Sequence, residues 1–265
     1  MTIGRSKNRM LSAVIAPMAA VAVAGIGVGA MTPVPALAQE VADAGPSSPW
    51  SRFRFGFSAY KNGRKDEALK AYRDAAEQGH AGARWKLATM YASGDGVRED
   101  DYQAYQLYEG LVNDGAVPGT GDETFVSSAL FSLASYLRRG IPNSPITADP
   151  LRARQLYLQS ASQFGDPNAQ FEIGRMYLMG EGGAADALQA ARWFKLAAQK
   201  GHVGAEAMLG KTLFDSGRTK QGLAILTSAL FKAQGADLHW IRTLQEEAFA
   251  LASEADRRSV VQAAN

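Results

Sequence analysis

The stretch Ala75–Val97, AAEQGHAGARWKLATMYASGDGV, decides the fold because the chain says it again. Ala161–Gly182 reads ASQFGDPNAQFEIGRMYLMGEG, and Ala197–Leu213 reads AAQKGHVGAEAMLGKTL. Self-similarity at a fixed period is the signature of a repeat architecture. Ala68, Ala104, Ala153, Ala190 and Ala224 are read as one equivalent position, and Gly79, Gly115, Gly165, Gly201 and Gly235 as another. Gly79 to Gly115 and Gly165 to Gly201 are both 36 residues, and Gly201 to Gly235 is 34. Gly115 to Gly165 is 50, so the second repeat carries about fourteen extra residues.

Each unit reads as helix, tight turn, helix, loop. In Asp66–Gln78, Ala68, Leu69, Ala71, Tyr72, Ala75 and Ala76 form an i, i+3, i+4, i+7 stripe, while Lys70, Arg73, Asp74 and Glu77 face away. Gly79 follows where a left-handed helix stop favours a residue without Cβ. Ala81–Ser93 carries a second stripe of Ala83, Leu87, Ala88, Met90 and Tyr91, ended by Gly94 and Gly96. One such hairpin cannot bury its own apolar face, so it must stack on neighbours. Packing alone accounts for nearly all of these Ala, Gly, Leu and Tyr residues.

The pieces AA-x-x-G and LG-x-x-Y-x-x-G resemble the Sel1-like repeat, an α/α relative of the tetratricopeptide repeat. They are carried by Ala75-Ala76, Gly79, Ala83, Leu87, Met90-Tyr91, Gly94 and Gly96-Val97, with echoes at Ala169, Ile173-Gly174, Met176-Tyr177, Gly180 and Gly182. The resemblance is good from Asp66 to Gly217 and weak from Arg218 to about Ser253. It implies an all-α fold, an α/α solenoid with N- and C-terminal capping helices. The repeats fall near 64–97, 101–140, 149–182 and 186–217, with a degenerate one at 218–253, in a single unit of residues 50–265.

Residues 1–38 have the parts of a secretory signal peptide. Arg5, Lys7 and Arg9 are a positive n-region, Met10–Met31 is almost wholly apolar, and Ala36-Leu37-Ala38 is an A-x-A site. Cleavage after Ala38 makes Gln39 the first mature residue. An uncleaved anchor is the competing reading, opposed by Pro17 and the glycines at 25, 27 and 29. The whole chain has 28 basic and 26 acidic residues, but the leader holds three of the bases. The mature chain then has 25 bases against 26 acids, a net charge of −1, and no basic stripe for nucleic acid. It has no cysteine, hence no disulfide and no lipobox thiol. A periplasmic protein with no membrane insertion after cleavage is expected.

Residues 39–49 read as a flexible lead-in. Trp50, Phe53, Phe57 and Tyr60 share one helical face and read as a capping helix, with an aromatic partner-binding patch as the sharper alternative. Leu238–Ala252 and Glu254–Ala264 read as helices that close the other end.

Chemistry is hard to find. His80 and His202 each follow a helix-ending glycine, so they are one turn position met twice, and no metal-ligand spacing accompanies them or His239. They are also the chain's simplest route to pH sensing, through loosening of adjacent repeats or an interface on protonation. Ser, His and Asp occur without a nucleophile motif. Glu99-Asp100-Asp101 sits at a helix start, where acids favour the helix dipole. Asp95-Gly96 and Glu181-Gly182 lack the remaining ligands of a calcium loop. No catalytic residue, metal or cofactor is expected, and the chain is read as no enzyme.

What remains is surface. In the Sel1-like family the helix carrying LG-x-x-Y lines the concave side, and its variable charges here include Arg84, Lys86, Glu172, Arg175, Glu206 and Lys211. These six are the candidate partner-binding residues, although any solvated helix face looks similar. The insertions Ala116–Glu123 and Gly140–Asp149 break the register with Pro and Gly and read as contact loops or protease-accessible segments.

With its leader, aromatic cap and divergent second repeat, the chain resembles the exported exopolysaccharide regulators of rhizobia and related alphaproteobacteria, the ExoR family. That resemblance implies a negative regulator that binds the sensor domain of a membrane histidine kinase. It would repress a two-component pathway controlling exopolysaccharide production and motility. A periplasmic protease is a further implied partner. Two alternatives stay open: a cell-envelope scaffold binding a transport or wall-synthesis complex, and a hydrolase helper or cryptic envelope enzyme.

Overall fold

The computed structural model describes residues 48–116 and 120–264. The leader with its Ala38/Gln39 cleavage site, most of the lead-in, and residues 117–119 of the first insertion lie outside the described residues. Among the described residues there are twelve helices and no strand. They are α1 (Pro49–Lys61), α2 (Lys65–Glu77), α3 (Ala81–Ser93), α4 (Asp101–Asp114), α5 (Asp122–Arg139) and α6 (Pro150–Gln159), which runs on as a π-helical turn over Ser160–Phe164. Then come α7 (Pro167–Met179), α8 (Ala187–Gln199), α9 (Val203–Asp215), α10 (Thr219–Lys232), α11 (Ala236–Leu251) and α12 (Glu254–Ala264). The architecture is an all-α solenoid of stacked helix pairs.

A small-on-large lock builds the stack. Counting from the N-cap of each even-numbered helix from α2 to α10, the eighth residue is Tyr72, Tyr108, Tyr157, Phe194 or Leu226, and all five are buried. Each odd helix from α1 to α9 presents a small residue to the even helix that follows. Six residues before the helix-ending glycine stand Ala88, Ala134 and Gly174, and Gly56 and Gly210 occupy the matching place in α1 and α9. A Cβ on Gly56 would lie 2.9 Å from the Tyr72 ring, and one on Gly174 only 2.6 Å from the Phe194 ring. From α1 to α9 an odd helix therefore packs more extensively on the next even helix than on the one before it, whereas α11 packs on α10.

The chain links these pairs in a repeated way. Asp100, Asp149 and Asp186 cap α4, α6 and α8, accepting from the N–H groups of Gln103 (2.9 Å), Arg152 (3.0 Å) and Gln189 (2.9 Å). The backbone N–H of each capping aspartate donates to the preceding odd helix, at the carbonyls of Tyr91, Leu137 and Tyr177 respectively. Asp101, beside the first cap, accepts from the Tyr136 hydroxyl at 2.9 Å. Asp100 and Asp101 are thus capping and packing residues.

The repeat register departs from the sequence reading in three places. Ala68, Ala104, Ala153 and Ala190 are all wholly buried, but Ala224 is exposed. Their true fifth equivalent is Gly222, four residues after the α10 N-cap Arg218. Gly165 lies sixteen residues after its N-cap Asp149, where Gly79, Gly115 and Gly201 lie fifteen after theirs. The π-helical turn absorbs that extra residue, pinned by a 3.0 Å hydrogen bond between the buried hydroxyls of Ser127 and Ser160. Gly235 precedes α11 as its N-cap and is not the stop of α10.

At the N-terminal end, α1 buries Gly56 and Ala59 against α2, with Phe53 and Tyr60 packed at the edge. The four aromatics do not act as one face, since Trp50 and Phe57 remain 59% and 51% exposed. At the other end, α11 and α12 bury Ile241, Ala248, Ala252 and Val260. The Thr219 hydroxyl of α10 donates to Asp256 of α12 at 3.0 Å. Leu251 and Val261 stay exposed, so this end is covered only in part. Among the described residues no helix is long and apolar enough to cross a membrane.

Candidate partner-binding surface

The six charged candidates lie on the odd helices α3, α7 and α9, and each already has a partner within the chain. Arg84 on α3 is mostly buried and pairs with Asp114 at the end of α4. The Lys86 ammonium sits 3.8 Å over the Tyr60 ring, and burial pushes its pKa down, against the pull of Asp95. Glu172 on α7, 17% exposed, accepts from Arg138 at 2.8 Å and from Arg175 at 3.3 Å. Glu206 on α9, equally buried, accepts from Lys232 and from the Ser228 hydroxyl of α10, both at 2.8 Å. Lys211 pairs with Asp215 one turn on, at 2.6 Å. Only Glu172 and Arg175 share a cluster. Arg84, Lys86, Glu206 and Lys211 stand apart from it, each engaged with its own neighbours.

The cluster around Glu172 is centred on Arg138. Its Nε and Nη2 grip both carboxylate oxygens of Glu181, at 2.5 and 2.7 Å, while Nη1 takes Glu172. The hydrogen bond from Arg138 holds the Glu181 carboxyl below the usual carboxylate range. Glu181 is therefore part of a clamp joining α5, α7 and the loop after α7. A matching clamp holds the loop after α3. Asp95 accepts from the Tyr60 hydroxyl and from Lys65. That hydrogen bond to Asp95 pushes the Tyr60 hydroxyl up to about 12.

Both turn histidines are helix N-caps. His80 Nδ1 accepts the Ala83 N–H at 3.2 Å, and His202 Nδ1 accepts the Ala205 N–H at 3.0 Å. Each ring is stacked on a neighbour, His80 on Phe53 and His202 on Phe171, with centroids 4.5 Å apart in both pairs. Burial lowers both pKa values, opposed by their own backbone hydrogen bonds and by carboxylates, chiefly Asp122 for His80 and Asp237 for His202. An accepting Nδ1 cannot carry a proton, so the cap requires the neutral ring. This role was not visible in the sequence, because histidine is not a usual cap residue.

Gly140–Asp149 is pinned: the Ile141 N–H donates to Ile146 O at 2.8 Å, the Ser144 hydroxyl to Ile141 O at 2.9 Å, and Ile141 is buried. Around that anchor Pro142, Asn143, Pro145, Thr147 and Ala148 remain exposed. Among the described residues no group of three or more His, Cys, Asp or Glu side chains converges as metal ligands would. Two surface depressions of about 320 and 460 Å³ flank Phe249, lined by Gln245, Glu246, Arg257, Arg258, Val261 and their neighbours.

The Sel1 repeat family model matches residues 81–109, 127–163 and 167–202. Each match begins at or within an odd helix and runs on into the next even one, the phase of the small-on-large lock. The chain is 51% identical over 215 residues to the "exopolysaccharide production negative regulator" of Rhizobium leguminosarum bv. viciae, covering 81% of this chain and 80% of that one. It is 50% identical over the same length to the protein of that description from Rhizobium meliloti strain 1021, with the same coverage. Among solved structures, a Sel1 repeat protein from Oxalobacter formigenes superposes with a TM-score of 0.61 at 22% identity, over 86% of this chain and 92% of the other. The uropathogenic Escherichia coli protective antigen c5321, with an SLR fold, gives a TM-score of 0.65 at 23% identity. There 86% of this chain spans only 46% of the longer antigen. These two likenesses establish the fold.

Proposed function

The chain belongs to the Sel1-repeat family of exopolysaccharide production negative regulators, and from that premise we propose that it acts in the periplasm by binding the sensor domain of a membrane histidine kinase. Binding holds down a two-component pathway that controls exopolysaccharide production and motility. The observation that carries this reading is the 51% identity over four-fifths of a regulator of that description. The solenoid is compatible with it. A stacked surface is ordered before its partner arrives, so association does not first have to order the binder. A repressor of this kind shifts the kinase only by its difference in affinity for the inactive and active states. Export by the N-terminal leader supplies the compartment. No catalytic step is needed. The six odd-helix charges are proposed as minor contacts, because each must loosen an intrachain partner to reach another molecule. Proteolytic removal would release the kinase, and the insertions Ala116–Glu123 and Gly140–Asp149 are the proposed cleavage or contact segments.

Deleting the gene tests the reading. Exopolysaccharide should rise and motility should change, and both effects should vanish when the kinase is deleted as well. A rise that persists without the kinase would contradict it.

A further inference from the structure

We propose that the exposed face of α1 is the docking surface of this protein, and that it takes an acidic face of the partner's sensor domain. The proposal rests on the functional reading above. Helix α1 turns Gly56 and Ala59 onto α2. At 3.6 residues per turn, the opposite side is the stripe Trp50, Arg54, Phe57 and Lys61. All four are exposed.

Packing does not require these residue types. The register of the odd helices places Gly82, Lys86, Thr89 and Ser93 at the matching positions of α3, and Asn168, Glu172, Arg175 and Met179 in α7. In α9 they are Gly204, Met208, Lys211 and Asp215. None of these is aromatic. The stripe therefore carries two exposed rings where the other helices named carry small, polar, charged or methionine side chains.

Its charge is uncompensated. Residues 49–65 contain five bases and no acid. Arg52, Arg64 and Lys65 are paired with Asp74, Glu67 and Asp95. Arg54 has no carboxylate partner among the described residues, and Lys61 lies 5.3 Å over the Phe57 ring instead. The complement of such a stripe is a surface with carboxylates flanking apolar recesses. Aromatic and arginine side chains in this mixture are the types that dominate protein–protein binding energy.

The stripe is also held in place before binding. A reciprocal Ser48–Ser51 capping box fixes the start of α1. The Trp50 ring stacks on His80, with centroids 5.6 Å apart and planes 10° from parallel. Little side-chain entropy remains to be lost there on docking.

The test titrates the mature chain into the purified periplasmic sensor domain of the kinase that controls exopolysaccharide, by calorimetry at low and physiological salt. Trp50→Ala/Arg54→Glu/Phe57→Ala should weaken binding by at least about tenfold, with an unchanged melting temperature. Should that variant melt early, Arg54→Glu/Lys61→Glu, which touches no buried side chain, decides in its place. Its loss should be larger at low salt. If the wild type binds and the variants bind within about twofold of it, the docking surface is wrong and the regulator reading stands. If the wild type does not bind the domain, both fall. Two controls identify other occupants. Stripe-dependent binding to phosphatidylglycerol vesicles, or a stripe-dependent dimer in light scattering, with sensor-domain binding unaffected, would overturn the proposal.

Discussion

Gly222 stands where four other repeats carry alanine, and the reason is its distance from α9. A Cβ there would lie 2.5 Å from both the Gly210 carbonyl oxygen and the Phe214 nitrogen, backbone atoms that cannot step aside. Alanine ordinarily gains about 1 kcal/mol over glycine inside a helix. Here the clash outweighs that gain, and Gly222→Ala should lose about 1–3 kcal/mol, read from the urea midpoint. Gly110 in α4 is the counter-case, since its Cβ would meet only Arg84 Nη1 at 3.7 Å. Gly110→Ala should gain about 0.5–1 kcal/mol. Equal effects of the two substitutions would contradict the packing described. The histidine caps make a second prediction at this scale. Both rings have folded pKa values below the ordinary 6.5, chiefly through burial. The unfolded chain therefore binds more protons, and stability rises with pH in this window. The contribution is complete above pH 6.5 and is lost as pH falls from there towards the lowered folded values. Asparagine caps helices without titrating. His80→Asn/His202→Asn should flatten the decline in urea midpoint between pH 7 and 5, and an unchanged decline would show that other groups set it.

At the scale of the helices, most of the repeat was legible, because buried alanines and trailing glycines recur at a fixed interval. Ala68, Ala104, Ala153 and Ala190 mark the stripe, and Gly94 and Gly180 close α3 and α7 with left-handed backbone. The reading slipped at Ala224 because the loop before α10 is four residues shorter than those before α4 and α8, and α10 spends a glycine, not an alanine, on its closest approach. It could not foresee the π-helical turn at Ser160, which depends on a hydroxyl partner in α5, 33 residues away. The surface was less legible for the same reason. Arg84, Glu172 and Glu206 read as free charges in sequence, yet Asp114, Arg138 and Lys232, about 26 to 34 residues distant, neutralise them. A spacing near one repeat length between opposite charges was the available signal. The Arg138 clamp is the strongest case. Arg138→Met should cost about 2 kcal/mol, since it strands the half-buried Glu181 carboxylate and leaves Glu172 with Arg175 alone. Glu181→Gln in the same chain should recover part of that loss in a double-mutant cycle. A fully additive cycle would mean that the pair is not coupled.

At the scale of the whole stack, each helix pair among the described residues packs on its neighbours, so stability is shared along it. Such a stack offers an extended surface for binding. Its family membership assigns the effect, negative regulation of exopolysaccharide production, while the partner is the claim still to be met by experiment. The two partner classes left open by the sequence predict different company in the cell envelope. In vivo crosslinking of the chain, followed by purification from membranes and mass spectrometry, separates them. The account predicts that a membrane sensor histidine kinase is recovered, crosslinked through its periplasmic domain. Recovery of a transport or wall-synthesis complex, with no histidine kinase, would contradict it.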